Sequence, residues 1–305
     1  MDYALQTKNL VKTFGGFVAT NDVSLKVETG ARHALIGPNG AGKTTLIDLL
    51  TGFLEPTAGR VILKGVDVTH LGQHHRVKRG MARTFQINRL FAELTVLESV
   101  TMAVNERLGL GRRFWKPVGA HAQAVDEAAG LLENLRLLDV AHEKTGSLAY
   151  GKQRLIEIAL ALAMKPQLLL LDEPAAGVPA TESRELFESI AALPRDVTIL
   201  LIEHDMDLVF RFAERISVLV GGALLAHGTP EFIANDRPLM VSYKGEILFP
   251  VLVDYPEEKF GGFLAVTDYR TPDIANEIKA NGWMIWPPIR MKSKIWRAIR
   301  NTFRC

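Results

Sequence analysis

A chain of 305 residues with a net charge of +2 is long enough for one large domain or two modest ones, and it offers no bulk positive charge for holding nucleic acid. Its 48% hydrophobic and 23% charged residues are ordinary for a soluble globular protein, and its longest apolar stretches, such as residues 216–226, contain glycine and are too short to span a bilayer. The one cysteine, Cys305, is the last residue, which excludes an internal disulfide and a prenylation signal and fits a reducing cytoplasm, and residues 1–8 lack the apolar core of a signal peptide.

Taken in chain order, residues 22–28 alternate apolar and polar side chains and predict a half-buried strand. Residues 33–36 predict a buried strand. The nine residues after it are Gly37, Pro38, Asn39, Gly40, Ala41, Gly42, Lys43, Thr44 and Thr45. They satisfy the phosphate-loop pattern G-x-x-x-x-G-K-[ST], in which glycines let backbone N–H groups turn around a polyphosphate. Lys43 can reach the β- and γ-phosphates, and the Thr44 hydroxyl can ligate Mg²⁺. Residues 44–50 follow with helical spacing, and residues 60–65 form a short strand ending in a turn. From about residue 93 to 162 the pattern is helical, with apolar residues at i, i+3 and i+4 over 131–138 and 154–162. Residues 168–171 and 198–202 are continuous apolar runs, as expected of parallel strands buried on both faces, with a crossover helix at 182–193 between them. Residues 216–220 and 223–226 form a hairpin around Gly221-Gly222. This is an α/β core with a helical insertion.

An acid must join a phosphate loop to place magnesium. Asp172 emerges at the carboxyl end of the run 168–171, where ligands bind in open α/β sheets. Glu173 beside it can orient and deprotonate a water for attack on the γ-phosphate. Residues 148–154 open a helix whose free N–H groups and dipole favour an anion. Gln86 follows the strand-like residues 81–85, and His204 follows the strand ending at Ile202.

The order Phe14, 37–45, Gln86, 148–154, 168–173, 175–179 and His204 resembles the ATP-binding subunits of ABC transporters over about residues 3–230. Within them the chain is similar to the branched-chain amino acid importer ATPases, through residues 14–16, Asn39, residues 80–86, residues 148–151 and residues 172–177. The resemblance implies a P-loop NTPase of the ABC ATPase type in residues 1–231, with a helical subdomain at about 88–158 and an antiparallel β subdomain. It implies a head-to-tail dimer with ATP between the phosphate loop of one subunit and the signature residues Ala149, Gly151 and Gln153 of the other. Phe14 would stack on adenine, Gln86 would sense Mg²⁺ and water, Asp172 would hold Mg²⁺ through water, and His204 would hold the γ-phosphate. The helical segment at about 88–138 would receive a coupling helix of an integral membrane permease, with a periplasmic substrate-binding protein as indirect partner. The place implied is the cytoplasmic face of the inner membrane, and no nucleic acid is involved. The alternatives are a soluble ABC ATPase acting on DNA, ribosomes or Fe–S assembly, and a nucleotide-binding scaffold. Long heptads or a second nucleotide domain would mark the former, and intact Glu173 and His204 argue against the latter.

Two residues depart from the pattern. Ala149 replaces the usual signature serine and removes a hydroxyl contact to the γ-phosphate, and Pro179 stands where the loop 175–179 usually ends in Asp or Asn. His70, His74 and His75 lack a carboxylate or cysteine and read as an exposed connector, not a metal site. Composition shifts after Pro230: Trp283, Trp286 and Trp296 lie in the tail, as do Pro287 and Pro288. Residues 233–249 and 282–290 resemble a soluble segment of a microcin-C-type peptide permease subunit. The tail, 232–305, is therefore expected to be foreign and poorly structured, joined by a chimeric reading frame at 232–236. A regulatory domain is the competing account. Residues 291–303 alternate basic and apolar residues at helical spacing and read as a solvated terminal helix or a disordered tail, with contact to a membrane surface as the alternative.

Overall fold

The structure, a computed structural model, describes residues 2–84, 90–110 and 121–235. The body built by these residues ends at Ile233, where the chain divides into two units. Gln86, residues 111–120 and the tail after 235 lie outside the described residues, so the expectations placed on them end there.

Two sheets carry the fold. The first is antiparallel, in the order β2 (Phe17–Val23), β1 (Tyr3–Phe14), β5 (Ala58–Leu63), β6 (Val66–Asp67), with β3 (Lys26–Glu28) also on β1. The single strand expected over 22–28 is broken at Ser24 and Leu25. The cause is Thr7: its hydroxyl accepts from the Leu25 N–H at 2.8 Å and donates to the Val23 carbonyl at 2.7 Å, taking the place of ladder bonds.

The second sheet runs β11 (Ala223–Gly228), β10 (Arg215–Val220), β4 (Arg32–Ile36), β9 (Thr198–Ile202), β8 (Leu168–Asp172), β7 (Met81–Arg83). All neighbours are parallel except the β10–β11 hairpin, whose turn residues Gly221 and Gly222 both have positive φ, as that two-residue turn requires. Every residue of β4, β8 and β9 is buried, which explains the apolar runs 168–171 and 199–202, while β4 buries Arg32 and His33 ahead of its apolar end at 34–36. Helix α1 (Lys43–Thr51) buries Leu46, Ile47, Leu49 and Leu50 between the sheets, in one core with Leu5, Val61, Leu170 and Leu200.

Helix α2 (Gln73–Lys78) carries His74 and His75, which are exposed as expected but helical. Among the described residues no group of histidines, cysteines and acids could hold a metal. The helical subdomain is α3 (Val96–Arg107), α4 (Ala122–Asn134) and α5 (Tyr150–Ala163), followed in the core by α6 (Ala180–Ala191) and α7 (Met206–Phe212). Helix α4 stops at Asn134, not at 138. Arg136 adopts φ 56°, and Arg136 and Leu137 donate to the carbonyls of Glu133 and Leu132. That paired cap turns Leu135 and Leu137 both inward, each fully buried, which a continued helix would not do. Helix α8 (Pro230–Asn235) follows β11 and buries Ile233.

Candidate nucleotide-binding site

Strand β4 delivers the loop at Gly37 to the carboxyl end of the parallel sheet. A Cβ on Gly37 would lie 2.2 Å from the Leu219 carbonyl oxygen, and one on Gly42 2.5 Å from that of Ala19, so neither position admits a side chain. Gly42 and Gly40 also take φ values of 94° and 81°, open only to glycine at low cost. The underside of the loop is fastened to the β10–β11 turn: Gly222 donates to the Ala41 carbonyl at 2.9 Å, and Asn21 to that of Gly222 at 2.8 Å. Pro38, Asn39 and Gly40 are exposed on the other side.

Lys43 is buried, and its ammonium folds back onto the Gly37 and Pro38 carbonyls at 2.6 and 3.1 Å. Burial lowers its pKa, while Glu173 and Asp172 pull it back up. The cation is therefore at the mouth of the loop, and among the described residues its hydrogen bonds go to two carbonyls that a polyphosphate oxygen can outcompete. Thr44 is exposed and Thr45 half-buried at the start of α1.

Strand β8 ends at Asp172, 5% exposed. Its carboxylate accepts from Arg83 at 2.8 Å, and the same guanidinium donates to Asp48 of α1 at 2.7 Å. Arg83 thus ties the end of β7 to the end of β8 and to the middle of α1. Glu173 then leaves the strand with φ 47°, a strained conformation for a side-chain-bearing residue, while its N–H still bonds the Ile202 carbonyl at 2.9 Å. The bend carries its carboxylate to 3.8 Å from His204 Nδ1. His204 is exposed. Glu203 before it is 1% exposed, and burial raises its pKa.

The structure therefore brings residues 37–45, Asp172, Glu173 and His204 to one edge of the sheet, and it adds Arg83 and Glu203, which sequence reasoning missed. Both stood inside stretches read for other residues, next to Gln86 and His204. Phe14 ends β1, half exposed beside Phe17, with Lys12 Nζ 5.2 Å from its ring centre.

The signature residues differ from expectation in one respect. Gly151 does not offer a free N–H: it donates to Glu182 of α6 at 2.9 Å. A carboxylate already takes up the favourable field at the start of α5. Ala149 caps that helix without a side-chain bond, and Gln153 turns back to the Leu148 carbonyl at 2.9 Å. Pro179 caps α6, its carbonyl accepting from Ser183 N–H at 2.8 Å, a place where a missing N–H costs nothing.

The chemistry of the set fits a nucleoside triphosphate with a hard divalent cation. A glycine-lined loop and a lysine face anionic oxygens, and the Thr44 hydroxyl and Asp172 carboxylate are the oxygen donors Mg²⁺ takes.

Residues 20–176 match the family model described as ABC transporter. The chain is 43% identical over 249 residues to the high-affinity branched-chain amino acid transport ATP-binding protein LivG of Escherichia coli K12, covering 79% of this chain and 98% of that one. Against the corresponding protein BraF of Pseudomonas aeruginosa the identity is 42%, with the same coverage. The solved ADP conformation of MJ1267, an ATP-binding cassette of an ABC transporter, is 33% identical, covers 79% of this chain and 97% of that chain, and superposes with a TM-score of 0.69. The fold, the phosphate loop and these relationships converge: this chain belongs to the ABC transporter family, as an ATP-binding subunit.

Proposed function

We propose that this subunit hydrolyses Mg²⁺-ATP at the sheet edge around Lys43, Asp172, Glu173 and His204 to drive an importer of branched-chain or other amino acids. The observation that carries this reading is the bend at Glu173, which sets a carboxylate beside His204 just past Asp172. The names of LivG and BraF support the amino-acid class and favour transport over a soluble role.

In this reading Phe14 stacks on adenine, the backbone of 37–42 cradles the phosphates, and Lys43 exchanges its two carbonyl partners for β- and γ-phosphate oxygens. Mg²⁺, held by Thr44, Gln86 and Asp172, would supply charge neutralisation on those oxygens. Glu173 takes a proton from the attacking water, and His204 fixes the γ-phosphate. A second copy, or a related ATP-binding subunit, closes the site with Ala149, Gly151 and Gln153. Closure requires Gly151 to release Glu182 and donate to phosphate instead. The subunit lies peripherally at the cytoplasmic face of the inner membrane. Among the described residues no helix is long and apolar enough to cross a membrane, so anchoring falls to permease subunits.

The test is ATP-dependent uptake of labelled leucine into vesicles holding this subunit together with permease subunits and a binding protein of the branched-chain amino acid type. Uptake should require Mg²⁺-ATP and stop on chelation with EDTA. Uptake of a peptide but no amino acid would overturn the substrate class.

A further inference from the structure

Glu203 is the last residue before His204 and is 1% exposed, yet the hydrolytic reading gives it no task. Its two oxygens are both used, and on different parts of the chain. Oε1 accepts from the N–H of Ala175 at 3.1 Å, and Oε2 accepts from the N–H of His204 at 3.1 Å. Ala175 is the first residue of the loop 175–179, two positions after Glu173. That loop is itself closed by Ala176 and Val178, which donate to the carbonyls of Glu173 and Ala175 at 3.0 Å each. Strand β9 and strand β8 are adjacent, and the Glu173 N–H is bonded to the Ile202 carbonyl. One buried carboxylate therefore clamps together the peptide after the strained bend at Glu173 and the peptide that carries the His204 imidazole.

Burial and the two bonds argue against a direct chemical role for Glu203: at 1% exposure its carboxylate is closed to bulk water and phosphate, and Oε2 also lies 3.8 Å from His204 Nδ1. They favour a mechanical one. A carboxylate with two backbone N–H donors forms charge-assisted bonds, stronger and more directional than neutral ones. Burying an acid is costly, and burial pushes its pKa up, so the two donors offset a cost that an apolar residue would not incur.

We propose that Glu203 is a positioning residue that couples the loop 175–179 to His204, so that the loop and the imidazole beside Glu173 are held in register as one unit. The inference rests on the hydrolytic reading of Glu173 and His204. It concerns the placing of His204, not ATP binding, because neither bond involves the loop 37–42.

The experiment is a double-mutant cycle in the full-length chain, read by steady-state and single-turnover ATP hydrolysis, with Glu203→Ala, Glu203→Gln, His204→Ala and the pair Glu203→Ala with His204→Ala. Glu203→Ala should lower kcat about 30-fold and change KM for ATP less than about 2-fold. Glu203→Gln keeps the volume and one acceptor oxygen, and it should lose about 5- to 10-fold. In the His204→Ala background, removing Glu203 should cost less than about 2-fold, because the imidazole it places is gone. Amide resonances of Ala175 and His204 should both move upfield in Glu203→Gln, as bonds to a charged acceptor are lost. Full additivity of the two alanine substitutions, an effect on KM alone, or global unfolding of the glutamine variant would each overturn the proposal by making Glu203 a packing or binding residue. If His204→Ala itself hydrolyses at the parent rate, the failure lies with the hydrolytic reading instead.

Discussion

His33 enters β4 fully inside the protein. Its Nε2 is 2.9 Å from Ser217 Oγ, which in turn lies 3.0 Å from His227 Nδ1, and the two imidazoles stack with centres 5.4 Å apart. Burial pushes the His33 pKa down to about 3, with His227 and Arg215 adding to the effect. The unfolded chain binds this proton near pH 6.5 and the folded chain does not, so stability falls as pH drops below 6.5 and goes on falling towards pH 3. This one group should remove about 2 kcal/mol between pH 7 and pH 5. Urea unfolding at the two pH values checks it: His33→Gln, which retains a polar atom for Ser217, should show a shallower acid loss than the parent. An equal loss in both would show that His33 does not set the acid limb. At this scale the sequence spoke clearly only where a residue's role is local. Gly37, Gly42, Lys43 and Thr44 lie in one turn, and spacing alone reads them. Arg83 bridges Asp48 and Asp172, 35 and 89 positions away, and Glu203 reaches back to Ala175, so their roles exist only once the sheet is assembled.

Among the elements, the helices α1 and α2 show how one buried side chain sets an angle. Arg76 is 1% exposed and donates to the carbonyls of Leu49, Leu50, Thr69 and Leu71, at 2.6–2.8 Å. Leu49 and Leu50 belong to the last turn of α1, whose carbonyls lack partners within the helix. Arg76→Met keeps the stem and removes the buried donors to these carbonyls, and it should destabilise the fold by about 3 kcal/mol, seen as a lower Tm and urea midpoint. A change under about 0.5 kcal/mol would mean water replaces the guanidinium freely. The strands β8 and β9 were readable because burial on both faces leaves an apolar run. The end of α4 and the break between β2 and β3 were not. Both depend on backbone turned by partners elsewhere, the burial of Leu135 and Leu137 in one case and the Thr7 hydroxyl in the other. The capping box of α3, Thr95 with Glu98, was written in the sequence as T-x-x-E but only the structure draws attention to it.

For the whole molecule, the sequence places the end of the ATP-binding body at 231, whereas α8 continues to Asn235 and buries Ile233. A cut after Pro230 would remove that anchor. We propose that residues beyond 235 are dispensable for nucleotide chemistry, since every residue assigned to the site lies between Phe14 and His204. Truncation after Asn235 should leave Tm and ATP turnover within about 2 °C and a few-fold of the full chain. Collapse or deregulation of turnover would make the tail a working domain. The larger claim is that two subunits close around ATP and that Glu173 then activates water. The direct measurement is Glu173→Gln, with ATP turnover and sedimentation followed in the same Mg²⁺-ATP solution. Turnover should fall at least about 100-fold while ATP stays bound and the protein sediments as a dimer. Hydrolysis at the parent rate, or a monomer that never retains ATP, would contradict it.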